Sequence, residues 1–435
     1  MDADVLVLGA GAAGLAAARE LSERSLRVVL LEARDRTGGR VRWEGVPGSS
    51  EPAELGAEFI HGRAKETMRL LHDFGLRTAP LGDESWVVGE SGKLERDDHD
   101  FVSTAGALLE KAAALDDDES AAQFLRRFEH DPSLRETVAT ARAFVEGFEA
   151  ADPAIASARA IADELRSGAD ETSVRPAGGY APMFGFLHEA CIDAGADVCL
   201  NAAVRRIAWR RGEIEVEVAD PHGASQVVRA RRAIVTLPIG VLRDGPNPSG
   251  VTFEPELPAW KRQALASIEM GHVAKVVLWF KQPFWEEVSN GRYRDSAFFR
   301  GVQQTFAAYW TLMPLRTRLV VAWAGGPRAL ALNAVSQSEL IERACVEFGE
   351  LLGDPEGARN QLEGGAMHDW GADPFARGAY SYVTVGGGDA RAVLAAPIED
   401  TLFFAGEATS IDGQGGTVNG ALETGERAAG EVTSG

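Results

Sequence analysis

The sequence is short of positive charge, of cysteine and of long apolar runs, and each shortage narrows what the protein does. Its 44 Lys and Arg stand against 65 Asp and Glu, a formal net charge of −21. That argues against nucleic-acid binding, which needs a basic face. It is compatible with attracting cationic substrates, although an acidic surface also serves solubility alone. No stretch approaches ~18 uninterrupted apolar residues, so no membrane span is expected. Cys191, Cys199 and Cys345 lack CxxC or metal-ligand spacing, which gives no metal site and fits reduced thiols in a cytoplasmic compartment. The start, "MDADVLVLGAG", enters an apolar strand without a basic region or a cleavage site, so no export signal is expected. Lysine is scarce among the cations. Only six of the 44 cations are lysine, at 65, 93, 111, 261, 275 and 281.

One of these sits in "GHVAKVVLWF" (271–280). Read with period two, Val273, Lys275, Val277 and Trp279 share one face, and Ala274, Val276, Leu278 and Phe280 the other. Both faces look buried, so Lys275 is expected to face inward, where an ammonium ion is costly. A strand-edge lysine whose tip reaches water is the alternative. A chain that otherwise writes arginine keeps lysine here, and lysine, unlike arginine, can exist as a neutral amine.

At 435 residues, 45% hydrophobic and 25% charged, the chain is expected to be soluble, globular and built of two domains. "DVLVL" (4–8) reads as a buried strand, "GAGAAG" as a turn, "LAAARELSER" as a helix, and "RVVLLE" as a second strand ending at Glu32. Gly9, Gly11 and Gly14 form GxGxxG. Gly9 suits the tight turn, Gly11 lets backbone approach a pyrophosphate, and Gly14 permits close helix–strand packing. The helix dipole favours the phosphates, and Glu32 is placed to accept ribose hydroxyls. From ~97 to ~170 apolar residues recur at i, i+3 and i+4, which predicts several helices. "GEIEVEVAD" alternates as a strand with one buried face does. Strands "LVVAWAG" and "TLFFAG", and helices at "SQSELIERACVEFGELLG" and "GTVNGALETGERAAGEV", follow.

"GAGAAG…LLEARDRTGGR…ELGAEFIHG" resembles the flavin-dependent amine oxidases, which include monoamine and polyamine oxidases and the related histone lysine demethylases. The resemblance returns at "HDWGADPFARGAYSYVTVG" (368–386) and "LFFAGEATS…GGTVNGALETGERAA" (402–429), with weaker echoes at "AAVRRIA", "AIVTLP" and "GHVAKVVLWF". It implies an α/β fold, a Rossmann-like FAD-binding domain (1–80, 190–248 and 365–435) interleaved with a mixed α+β substrate-binding domain (81–189 and 249–364). The implied cofactor is FAD, and the implied contacts are Gly9, Gly11, Ala13, Gly14, Glu32, Ala33, Arg34, Gly39, Arg40, Gly56, Ala57, Glu58, Val204, Thr236, Trp370, Gly406, Glu407, Thr417 and Val418. The backbone of Val204 would meet adenine, Glu407 the ribityl chain, and Thr417 and Val418 the flavin pyrimidine at a helix N-terminus. Lys275 would hold a water against flavin N5, the hydride acceptor, as a buried amine whose charge desolvation disfavours.

The resemblance also carries departures. Monoamine oxidases bond a cysteine to the flavin at the place of Ala379, so FAD is expected to be non-covalent. They flank the substrate with two tyrosines; Tyr380 fills one place and Thr417 the other. His61, in "IHG", matches animal polyamine oxidases and is a candidate substrate contact. Tyr180 is a candidate cavity residue. The implied partners are a small-molecule amine, secondary or polyamine-like, and oxygen, with peroxide as product and no nucleic acid or membrane. Alternatives on the same fold are an L-amino-acid oxidase, for which Arg63 is the nearest carboxylate-binding candidate, and a biosynthetic oxidase of a natural product. A non-enzymatic flavoprotein scaffold is the remaining alternative.

Overall fold

The structure is a computed structural model that describes residues 1–434 except 90, 167–172, 244, 246–249 and 302–303. The expected domain boundary at 248/249 therefore lies outside the described residues.

A five-stranded sheet has the spatial order Asp197–Cys199, Val28–Leu31, Val5–Leu8, Arg232–Val235, Leu402–Phe404, and every pairing in it is parallel. Its central strands are unbroken apolar runs because both faces are covered. Leu6 and Leu8 face a core with Ile207, Val216 and Phe404. Val5 and Val7 face the opposite one with Leu15, Leu21 and Leu422, contributed by helices Ala12–Glu23 and Val418–Ser434. The expected alternating strand is Glu213–Ala219. Its Ile214, Val216 and Val218 are buried and the residues between them half-buried, and it belongs to a separate four-stranded sheet.

The third large sheet has seven strands, in the order Leu362–Met367, Val273–Phe280, Leu319–Gly325, Ala308–Thr311, Ser296–Arg300, Glu84–Val88, Leu94–Asp97. Its pairings are antiparallel except that of Glu84–Val88 with Ser296–Arg300. The strands Glu84–Val88 and Leu94–Asp97 carry no clear sequence signal, since both are short and neither alternates polar and apolar residues. Helix Gln337–Leu352 covers one face of this sheet, packing Leu340 and Phe348 on Val276, Leu278 and Phe280. It begins in a capping box, in which Ser336 and Glu339 each accept a backbone N–H of the other. Helices Phe101–Leu109, Ala121–Arg126, Arg135–Ala143 and Ala158–Arg166 form the helical region expected between ~97 and ~170. Among the described residues no helix is long and apolar enough to cross a membrane, and no acidic, His and Cys group could hold a metal.

Candidate active site

A cavity of about 1900 Å³ runs from the first turn of the parallel sheet to the face of the seven-stranded sheet opposite helix Gln337–Leu352. All the expected cofactor contacts except Gly14 line it, together with Lys275, His61 and Tyr380. Gly14 lies beneath the lining. A Cβ there would stand 1.8 Å from the Gly9 carbonyl oxygen, so helix Ala12–Glu23 can seat against the turn only with glycine at 14. Gly11 is the reverse case, since a Cβ there would meet nothing within 4 Å. It caps the helix without a side-chain hydrogen bond, so the terminal N–H groups are free for a phosphate. Glu32 is buried, with Oε2 accepting Ala10 N–H at 2.8 Å and Oε1 accepting Arg34 N–H at 3.0 Å. An open glycine, an uncapped helix start and a buried acid on one cavity fit a dinucleotide.

Further along, several expected contacts turn out to hold one another. Arg40 Nη1 donates to Glu407 Oε1 at 2.9 Å and to the Ala379 carbonyl at 2.7 Å. Glu407 Oε2 accepts Gly416 N–H at 3.0 Å and the Ser381 hydroxyl at 2.6 Å. Burial would raise the Glu407 carboxyl, but the charges of Arg40 and Arg391 outweigh it and hold it below the usual range. The Thr236 hydroxyl lies 2.8 Å from the Leu8 carbonyl and 2.9 Å from that of Gly9, so it fixes the end of the opening strand. The Trp370 indole N–H donates to the Leu55 carbonyl at 2.9 Å. Thr417 donates to the Gln414 carbonyl and accepts Gly420 N–H, both at 2.9 Å, which caps the terminal helix at the cavity.

The period-two reading of "GHVAKVVLWF" locates the other half. Strand pairing aligns Lys275 with Trp323, Trp323 with Ala308, Trp310 with Phe298, and Arg300 with Ala308. These residues and Val273 all line the cavity, whereas the intervening Ala274, Val276, Phe299, Tyr309 and Ala322 lie in the core behind. Lys275 is 3% exposed, with Nζ 2.7 Å from Glu58 Oε2 and 3.0 Å from the Gly56 carbonyl. The sequence named no partner for this amine; the structure supplies one from a segment over two hundred residues earlier. Trp310 Nε1–H donates to Glu58 Oε1 at 3.1 Å, and Arg175 Nη2 lies 3.7 Å from the same oxygen. Burial alone would raise the Glu58 carboxyl; the charges of Lys275 and Arg175 and the hydrogen bonds from Lys275 and Trp310 reverse this and hold it low. Close by, Glu54 accepts Tyr180 N–H at 2.8 Å on Oε1, and its Oε2 has no hydrogen-bond partner among the described residues. Burial pushes its carboxyl up to about 8, against the pull of Lys275.

His61 Nδ1 is 2.8 Å from Ser173 Oγ, and its ring stands 5.1 Å from that of Phe148. Burial pushes its pKa down to about 4, so the imidazole is neutral at neutral pH. The Tyr380 hydroxyl donates to the Phe148 carbonyl at 2.5 Å. Burial, then the charge of Glu149, raises its pKa, so the phenol is neutral too. Tyr180 is a correction. It is 1% exposed, its hydroxyl donates to the Phe59 carbonyl at 3.3 Å, and it does not line the cavity. The reason is its place at the start of helix Ala181–Asp193, which packs the ring into the core with Phe184. Sequence reasoning missed Trp310, Trp323, Phe148 and Arg175. Nothing in their local pattern marks them as site residues; strand pairing with Lys275 does so for Trp310 and Trp323, and only the tertiary packing does so for Phe148 and Arg175.

Three comparisons with known proteins agree with this geometry. Residues 12–433 match the flavin containing amine oxidoreductases. The chain is 30% identical over 466 residues to polyamine oxidase 4 of Oryza sativa subsp. japonica, covering 98% of this chain and 88% of that protein. It is also 30% identical over 459 residues to lysine-specific histone demethylase 1 homolog 2 of the same plant, covering 99% of this chain but only 57% of that protein. Among solved structures, putrescine oxidase bound to putrescine superposes with a TM-score of 0.81 at 24% identity over the whole of both chains. Cyclohexylamine oxidase from Brevibacterium oxydans IH-35A gives 0.81 at 23%, over 100% of this chain and 99% of the other. The two structural likenesses speak for the fold, and the match over nearly the whole sequence places the chain in the family of flavin-containing amine oxidoreductases, enzymes whose cofactor is FAD.

Proposed function

We propose that the protein oxidises the C–N bond of a secondary or polyamine-like amine at the Lys275 and Tyr380 end of the cavity, with oxygen reduced to hydrogen peroxide. The observation that carries this is the single cavity joining a dinucleotide cradle to Lys275. FAD, when bound, would supply the hydride acceptor and the route for electrons to oxygen. The chain's own residues do the rest. Gly11 and the helix start would hold the pyrophosphate, Glu32 the ribose, the Val204 backbone the adenine, and Glu407 the ribityl chain. The start of the terminal helix at Thr417 and Val418 would meet the pyrimidine, where the positive helix end favours negative charge. Lys275 has three N–H donors and spends two on Glu58 and Gly56, which leaves the third to hold a water toward the reacting nitrogen of the cofactor. Neutral His61 and Tyr380 add no charge to the substrate side.

Several observations support the finer points. Ala379 lines the cavity without a thiol, in keeping with non-covalent FAD. Arg63 is exposed and outside the cavity lining, which favours amines over amino acids. The parallel sheet gathers strands from three separated stretches of chain, which supports the interleaved domains 1–80, 190–248 and 365–435 against 81–189 and 249–364. Cys191, Cys199 and Cys345 are free thiols, in keeping with a cytoplasmic setting. The test is anaerobic addition of mono-, di- and polyamines and of L-amino acids to the yellow protein, followed by oxygen. Bleaching by an amine and peroxide on reoxidation are expected. Faster bleaching by an L-amino acid than by any amine would overturn the reading.

A further inference from the structure

Trp323 is the large side chain directly opposite Lys275 in the antiparallel pair, a placement that brings two Cβ atoms to within roughly 5 Å. The cavity-facing positions around it, Val273, Ala308 and Gly325, are small. Trp310, on the next strand, is 6% exposed and has its N–H on Glu58. Trp323 is half-buried and turned to the cavity. Its ring lies 5.8 Å from that of Trp310, at 47°. Its indole N–H donates to the Gly147 carbonyl at 2.8 Å.

Gly147 belongs to a π-helical turn, Phe144–Phe148, and such turns recur where a helix meets a functional site. The turn reaches the sheet because residue 325 is glycine: a Cβ there would stand 2.4 Å from the Glu146 carbonyl oxygen. The next carbonyl of the same turn, that of Phe148, accepts the Tyr380 hydroxyl. One turn therefore fixes the polar ends of two aromatic side chains from different elements. With N–H and O–H spent on backbone, both present apolar ring faces to the cavity, and such faces discriminate by shape and volume.

We infer that Trp323 sets how bulky a group can stand beside the reacting carbon, and that the turn Phe144–Phe148 holds it there. The preferred amines carry slender, unbranched alkyl groups next to nitrogen. This rests on the reaction taking place at Lys275. The test uses two monoamines of equal charge, n-butylamine and cyclohexylamine, and reads kcat/KM for each and Kd from perturbation of the flavin spectrum. Trp323→Ala should raise the cyclohexylamine-to-butylamine ratio by ~10-fold or more, the scale of a few methylenes in a closed pocket. Trp323→Phe should raise it less. Ala308→Val adds volume directly opposite Trp323 while keeping the indole and should lower the ratio, and it decides the matter if Trp323→Ala does not fold. Ratios within about twofold of wild type in the folded variants would overturn the inference while leaving the amine oxidase reading intact. Wild-type flavin that neither bleaches nor changes its spectrum with any amine would overturn that reading, and the inference with it.

Discussion

Lys275→Met tests the buried ion pair directly, and sequence and structure disagree about its outcome. By sequence, a methionine suits a strand between two apolar faces, and the variant should fold as well as wild type. The structure places Nζ 2.7 Å from a carboxylate that is itself 8% exposed. At an effective dielectric of ~20, charges at that distance attract by about 6 kcal/mol, which the cost of burying both ions offsets in large part. Removing the lysine alone strands Glu58. Breaking a buried pair from one side costs ~3–5 kcal/mol, and the lower end applies because Arg175 and Trp310 still face the carboxylate. Urea unfolding of the FAD-saturated protein should therefore show a loss of ~3 kcal/mol. Lys275→Met/Glu58→Gln should recover only part of it, since the buried Arg175 guanidinium then loses the carboxylate beside it. The pH dependence should also change. In wild type the Glu58 carboxyl is held low, so its contribution is present above the ordinary carboxylate range and is lost as pH falls. In the single variant burial is less opposed, the carboxyl rises, and stability should fall as pH rises. Flavin reduction by amine or reoxidation by oxygen should slow by ~10²-fold in stopped flow. A single variant as stable as wild type, with no gain in the double, would refute the reasoning.

Glu54→Gln keeps an acceptor for Tyr180 N–H but cannot ionise. Because the folded-state value of about 8 lies above that of the unfolded chain, wild-type stability should decline as pH rises between the two. The variant should be more stable than wild type at pH ~9 and close to it at pH ~5, by thermal melting; equal melting at both would discount the buried acid. Acid precipitation followed by filtration should leave free FAD in the filtrate, since Ala379 offers no thiol; colour kept by the pellet would contradict this.

The local pattern of the chain was enough for the parallel sheet, the glycine turn, Glu32 and the terminal helix. These depend on contiguous signals: an apolar run, a turn that only glycine allows, an acid at the end of a strand. Period two was enough to turn Lys275 inward. It could not supply Glu58 as its partner, because the pair joins residues 58 and 275 through a strand register that no local pattern encodes. Tyr180 shows the same limit from the other side: an aromatic after two glycines reads as a cavity residue, and helix packing sends it into the core. Trp310 and Trp323 look like core residues in the sequence, and only the pairing of three antiparallel strands puts them on the cavity face beside Lys275. Contiguous pattern decides which residues are buried; tertiary register decides which of the buried ones meet.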